Sequence, residues 1–168
     1  MSEESSKGLG EGQDIGILER RRIEAELLKP LMEAFSAEVG PTRTRAIVIN
    51  VVKQLARAQG ARMAQQAGGN TLRHFAGLKE PWVRGGALEF DVSAQEDDRY
   101  DYNVTRCKYA EMYRELGLEE MGFHLSCDRD GTLIEGFNPE MELRRTQTIM
   151  QGAPFCDFRY RPRSAPEE

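Results

Sequence analysis

A chain of 168 residues and 19.0 kDa can build one domain with a proper hydrophobic core and is short for two. Its composition, 39% hydrophobic and 30% charged with a net charge of −5, is that of an ordinary globular protein. That charge argues against general binding to nucleic-acid phosphates, which takes a basic surface, and no stretch approaches the ~18 apolar residues of a membrane span. Residues 1–16 are rich in Ser, Glu and Gly and lack the apolar run of a signal peptide, so they read as a disordered leader. The expected compartment is therefore the cytoplasm, where thiols stay reduced, and an odd count of three cysteines speaks against a disulfide framework.

The first element in the chain is a long helix. Ile23, Leu27, Leu31, Phe35 and Val39 recur every four residues with Leu28 and Met32 beside them, which predicts an amphipathic helix from about Ile17 to Val39. Pro30 falls inside it and should kink it or start a second segment. Gly40-Pro41-Thr42 makes the break. A second helix then runs to about Gln66, with Ile47, Val48, Val51, Val52 and Leu55 on its inner face. Gly68-Gly69-Asn70 ends this helical half, and Asn70-Thr71 is placed to cap a short helix through Leu78, with Pro81-Trp82 leading out of it.

The hydrophobic period then changes from helical to alternating. Leu88, Phe90 and Val92 alternate with Glu89 and Asp91, and beyond the polar turn Gln95-Glu96-Asp97-Asp98 the residues Tyr100, Tyr102 and Val104 alternate again, an antiparallel hairpin. Helices are expected from about Arg106 to Leu116, closed by Gly117, from Glu119 to Ser126, and around Asp130 to Gly136, ended by Asn138-Pro139. Met141 to Ile149 and Phe155 to Tyr160 alternate on either side of Gln151-Gly152-Ala153-Pro154, a second hairpin. The fold class that follows is α+β, an N-terminal helix pair and further short helices packed on one face of a roughly four-stranded antiparallel sheet. It forms a single domain over residues 17–161, with a flexible tail over 162–168.

All three cysteines fall in the C-terminal third, each inside a polar motif: Asn103-Val104-Thr105-Arg106-Cys107, Cys127-Asp128-Arg129-Asp130 and Cys156-Asp157-Phe158. A cysteine kept for packing usually has apolar neighbours, so these point to thiol chemistry. Cys107 lies where a strand gives way to a helix. Its sulfur should sit at a helix N-terminus beside Arg106, and both favour thiolate and lower the pKa; the other reading is a small buried residue in the first turn. Cys127 and Asp130 share a face on a continuing helix, setting a thiol near a carboxylate able to orient a substrate nitrogen or transfer a proton. The plainer reading is a buried cysteine and a capping aspartate.

In the last strand Cys156, Phe158 and Tyr160 point one way, toward the core, and Phe155, Asp157 and Arg159 the other. Arg145 shares a strand face with Met141 and Leu143, and an arginine there needs an anion, either Asp157 or a substrate carboxylate. The rival to thiol chemistry is a zinc site of the three cysteines with His124, but no C-x-x-C pair is present. A P-loop, G-x-S-x-G, H-E-x-x-H and dinucleotide fingerprint are also absent, so no metal and no cofactor are expected.

Several segments in order carry a resemblance: Asn103 to Glu111, Leu125-Ser126-Cys127-Asp128-Arg129-Asp130, Glu135-Gly136-Phe137-Asn138-Pro139, Arg145-Thr146-Gln147-Thr148 and Gly152-Ala153-Pro154-Phe155-Cys156-Asp157-Phe158. Together with the helix Ile17 to Glu26 they resemble the bacterial L-2-amino-thiazoline-4-carboxylic acid hydrolase family over nearly the whole chain after the leader. The closing Gly-x-x-x-Cys-x-Phe pattern is also similar to small-molecule-binding domains of the 4-vinyl reductase type, which gives a non-catalytic binding or sensor domain as the alternative. The first resemblance implies a hydrolase acting on a carbon–nitrogen bond of a small cyclic amidine, whose ring carbon is bonded to sulfur and two nitrogens, to give a carbamoyl-cysteine. A thiolate, preferably Cys107, fits as the attacking group, with Asp130 as proton shuttle and Arg145 as holder of the substrate carboxylate. Direct attack by water, with the cysteines only lining the pocket, stays open.

The expected catalytic residues are thus Cys107, Cys127 and Asp130, and the expected substrate-binding residues are Arg145, Asn103, Cys156 and Asp157. The expected partner is a small-molecule substrate, with neither nucleic acid nor membrane. The apolar helix pair either covers the sheet or supplies the face of a homo-oligomer.

Overall fold

A computed structural model describes residues 15–163, so most of the leader and of the tail expected from the sequence lie outside the described residues. Four strands, β1 (Leu88–Gln95), β2 (Tyr100–Cys107), β3 (Met141–Arg144) and β4 (Cys156–Pro162), form one antiparallel sheet in the order β1-β2-β4-β3. The helices α1 (Ile17–Val39), α2 (Pro41–Ala67), α3 (Leu72–Gly77) and α4 (Glu80–Val83) precede the sheet. Between β2 and β3 come α5 (Lys108–Glu115), α6 (Glu119–Gly122), a π-helical turn (Phe123–Cys127) and α7 (Asp128–Phe137). The architecture is the α+β one that the change of period predicts.

Strand register builds the inner face of the sheet. Tyr100 lies opposite Tyr160, Tyr102 opposite Phe158 and Val104 opposite Cys156, and all six are buried. The outer face is a polar lattice. Asp101 takes Arg99 and Arg161, and the Asn103 side-chain oxygen accepts from Arg159 Nη2 at 2.8 Å. This division by alternate residues is what a sheet with one covered face requires.

Three local readings change. Pro30 sits within an unbroken α1. The two helices expected between Glu119 and Gly136 run on into each other through the π-helical turn, which aims Cys127 and Asp130 at the sheet. β3 stops at Arg144 because the Asp157 carboxylate captures the backbone N–H groups of Thr146 and Gln147 at 3.0 and 2.9 Å, turning the chain out of the ladder.

The larger correction concerns the helix pair. The ladder Ile23, Leu27, Leu31, Phe35 and Val39 points outward, and so do Ile47, Val51 and Leu55 of α2; each is between 43% and 64% exposed. Inside, α1 presents Leu18, Arg21, Ala25, Leu28 and Met32, while α2 turns Thr44, Ala56, Gly60 and Met63 inward with Val48 and Val52 partly covered. α2 then packs on α7 at backbone distance. A Cβ built on Gly60 would fall 2.0 Å from the Leu133 carbonyl oxygen, and one on Gly136 2.1 Å from that of Arg57.

Since backbone atoms cannot move aside as side chains do, Gly136→Ala is expected to push α7 off α2 and lower stability by about 3 kcal/mol. A urea titration reads this as a lower midpoint at unchanged slope. A midpoint shift of less than about 0.5 kcal/mol in equivalent energy would show that the two helices separate freely.

Candidate active site

Between the aromatic face of the sheet and the helical layer lies a cavity of about 100 Å³. Its floor is the stacked set Tyr102 on Phe158, 4.6 Å between ring centroids, and Tyr100 on Tyr160 at 5.9 Å. At the Tyr100 end of β2, Lys79 reaches in from the bend between α3 and α4. Its amine sits 2.8 Å from the Tyr102 ring centroid and donates to the Tyr100 hydroxyl at 3.1 Å. Cys107 marks the other end of the same strand, with Cys127 and Cys156 also on the wall.

Asp130 lies in this wall. Arg145 Nη1 donates to it at 3.0 Å and Arg145 Nη2 donates to the Cys127 carbonyl at 2.8 Å, while the guanidinium carbon lies 4.8 Å from the Phe158 ring. The Arg145 side chain is only 9% exposed, whereas 28% of the Asp130 side chain remains open and lines the cavity. The pair therefore holds one carboxylate fixed and facing the void. Burial pushes the Asp130 carboxyl up, against the opposing pull of Arg145, Arg129 and Lys79.

The three thiols stay protonated at neutral pH. Burial pushes Cys107 up to about 11 even though the N–H groups of Ala110 and Tyr109 at the start of α5 point at its sulfur. Arg106 does not help, because it pairs with Glu111 and Glu89 on the surface. Burial also raises Cys127 and Cys156, the latter despite a hydrogen bond from the Ile149 N–H to its sulfur at 3.2 Å. The expected thiolate at Cys107 thus gives way to a buried thiol, desolvation outweighing the helix terminus.

Lys79 moves the other way. Burial pushes it down to about 6, opposed by the Asp130 charge, and among the described residues no carboxylate lies within ion-pair distance of it. Arg129 is similarly lowered to about 10 by burial and donates to the Gln59 side chain at 2.9 Å.

The structure therefore brings five of the seven residues singled out from sequence to one cavity: Cys107, Cys127, Cys156, Asp130 and Arg145. Asn103 and Asp157 do not line it; they bond on the outer face of the sheet and at the turn after β3. The anion beside Arg145 is Asp130, neither Asp157 nor a vacant place for a ligand. His124 pairs with Asp128 at 3.4 Å, and among the described residues no three His, Cys, Asp or Glu side chains come close enough to share a metal ion. Sequence reasoning missed Lys79, which looks like a solvated residue between Leu78 and Glu80. In the sequence Tyr100, Tyr102 and Tyr160 show only the alternation of strands, whereas the structure sets all three on the cavity floor.

Sheet and helical cover define a small-molecule-sized chamber, mostly apolar in its lining, with one anchored carboxylate, one lysine and three thiols among its polar groups. The same fold occurs in the phenol-responsive sensory domain of the transcription activator PoxR, crystallised with phenol, at a TM-score of 0.51 and 12% identity over 82% of this chain and 74% of that one. A trafficking protein particle complex subunit 3 from Naegleria fowleri, covalently bound to palmitic acid, gives a TM-score of 0.47 and 10% identity over 89% of this chain and 98% of that one. A search of curated proteins gives no match. The sequence profile of the L-2-amino-thiazoline-4-carboxylic acid hydrolase family matches residues 20–160, and the chain belongs to that family. No helix among the described residues is long and apolar enough to cross a membrane.

Proposed function

We propose that the protein hydrolyses a small cyclic amidine, L-2-amino-thiazoline-4-carboxylate or a close relative, to a carbamoyl-cysteine. The observation that carries this reading is Asp130, fixed by Arg145 and presented to a cavity whose wall also holds three cysteines, in a member of this family. A void of about 100 Å³ beneath the helices has room for a small-molecule ligand.

In the proposed complex the amidine lies against Asp130, which makes the ring carbon electrophilic. The substrate carboxylate points to Lys79, which takes up a proton as the anion enters, and to the Tyr100 hydroxyl, because Arg145 is already occupied by Asp130. Cys107, the most accessible of the three thiols, attacks that carbon as its proton passes to Asp130. The bond from the carbon to one ring heteroatom breaks, and Asp130 returns the proton to the departing atom. Water then replaces the sulfur on the carbon and restores the thiol.

The test is turnover of the thiazoline followed by mass spectrometry. Wild type is expected to yield a product heavier by one water, and Cys107→Ser to lose at least 100-fold of that rate with its circular dichroism unchanged. Full activity in Cys107→Ser, Cys127→Ser and Cys156→Ser would assign the attack to water instead. The aromatic floor and the protonated thiols favour a second reading, a domain that binds a small molecule without converting it. Saturable binding with no product by folded, reduced protein would establish that reading.

A further inference from the structure

The wall of the chamber carries more positive charge than its carboxylate can match, in a chain whose net charge is −5. Besides Lys79, which burial leaves uncharged at neutral pH, the lining holds the guanidiniums of Arg21, Arg129 and Arg145 against Asp130. Arg145 takes Asp130. Arg21, on the inner seam of α1, is buried and takes Glu24 on its own helix, a carboxylate whose side chain is 52% exposed. Arg129 is left with the neutral side chain of Gln59 at 2.9 Å and forms no ion pair among the described residues. A partly enclosed guanidinium held only by an amide is short of an anion.

Its position follows from the first turn of α7, where successive residues fan out by about 100° each. Asp128 meets Lys53 of α2 at 3.1 Å, Asp130 turns to Arg145, and Arg129 reaches Gln59 of α2. Arg21 of α1 stands nearby, since after burial its charge is the next strongest influence lowering Arg129. Both guanidiniums belong to two walls at once. A groove runs along α1 and α2, and it shares Ile17, Arg21, Met63, Leu78, Trp82 and Arg129 with the chamber. We propose that this shared wall is the mouth of the chamber, and that Arg21 and Arg129 form an anion-binding station in it. The station takes the carboxylate of a small ligand and admits anionic compounds in preference to neutral or cationic ones.

A carboxylate between the two guanidiniums accepts hydrogen bonds from both and relieves their repulsion, while Glu24, already half in water, can turn out to solvent. Leu78 and Trp82, on either side of Lys79 in the chain, belong to the same wall, so the next cationic place for the carboxylate lies just inside. The ligand thus passes from a permanent charge at the mouth to an amine that charges as the anion arrives, and its ring moves over the aromatic floor. Positive charge focused in a low-dielectric cleft also raises the local concentration of anions. The station rests on the chamber being a ligand site, as proposed above, and holds whether or not the ligand is hydrolysed.

Trp82, the single tryptophan, lies in this wall and reports the charge there. The test is quenching of its emission by iodide, caesium and neutral acrylamide at fixed ionic strength and a pH of about 8, where Lys79 carries no charge. The iodide quenching constant of wild type is expected to exceed that of Arg129→Gln about threefold, with caesium moving the opposite way and acrylamide unchanged. Arg21→Gln should act in the same direction, and Arg129→Lys, which keeps the charge, should stay near wild type. Iodide quenching that is the same in wild type and both glutamine variants overturns the proposal. A loss that Arg129→Lys shares, or that acrylamide matches, also overturns it, because the wall would have loosened instead of losing charge. Turnover of the thiazoline is a separate result. Quenching as expected with no product leaves the station standing and removes the hydrolase reading; product formed by a wild type whose quenching matches the variants does the reverse.

Discussion

Lys79→Met is expected to give a more stable protein and a poorer enzyme. The unfolded chain keeps a proton on Lys79 up to about 10.5, whereas the folded chain keeps it only to about 6. Between those values the unfolded state binds the extra proton, so folding strengthens as pH rises through the window and weakens as pH falls toward 6. Near pH 7.5 the folded amine is uncharged, and its burial costs the fold about 4 kcal/mol at most, at 1.36 kcal/mol for each unit. Methionine fills much the same volume without a charge, and the variant should gain about 2 kcal/mol. The wild-type rise in stability between pH 6 and 9 should disappear with it; above 9 the retained proton on Cys107 opposes the remaining Lys79 rise in wild type and sets a falling slope in the variant. Activity moves the other way. With the proposed anchor for the substrate carboxylate removed, KM should rise about 100-fold while kcat changes much less, because that contact is made in ground and transition states alike. Denaturant titrations across pH together with steady-state kinetics check both halves. A variant that is less stable than wild type at pH 7.5 would mean that Lys79 stays charged and paired in the fold.

Such a residue shows where reading the sequence stops. The sheet was legible because Tyr100, Tyr102 and Val104, and again Cys156, Phe158 and Tyr160, alternate with polar neighbours, a period that no helix face reproduces. The helix pair was legible as helices but turned inside out. A strict every-fourth-residue ladder drifts by about 40° at each step, so Ile23 to Val39 winds around α1 and cannot stay on one straight seam. The spacing of three and four through Leu18, Arg21, Ala25, Leu28 and Met32 does stay on one, but an arginine and an alanine conceal it in a hydrophobicity pattern. At the site, the polar motifs around the cysteines and Asp130 pointed to residues that line one cavity. Their electrostatics were not legible, since the pKa of Cys107 depends on burial by α5, β1 and the helical cover, none of which its neighbours in sequence reveal. Arg145 found Asp130 because Asp157 ends β3 one residue before it, a tertiary event that strand periodicity cannot signal.

Asp130→Asn is expected to lose activity more completely than any cysteine replacement. In the proposed reaction the carboxylate holds the amidine, takes the proton of the nucleophile and returns it to the departing atom; an amide can do only the first of these, and weakly. The rate should fall by about 10³ or more, whichever group attacks the carbon, because water as nucleophile needs the same proton acceptor. The fold suffers as well. Arg145, almost wholly enclosed, keeps the Cys127 carbonyl but loses its counter-charge, and an uncompensated buried guanidinium costs about 3 kcal/mol. These two losses separate in a double variant. Adding Arg145→Met to Asp130→Leu removes both charges together and should restore most of the lost stability, since a buried pair exchanged for apolar groups is close to neutral. Turnover should not return. If the double variant regained both, the pair would be a structural ion pair only, and the chemistry would have to be sought at the three thiols and Lys79 alone.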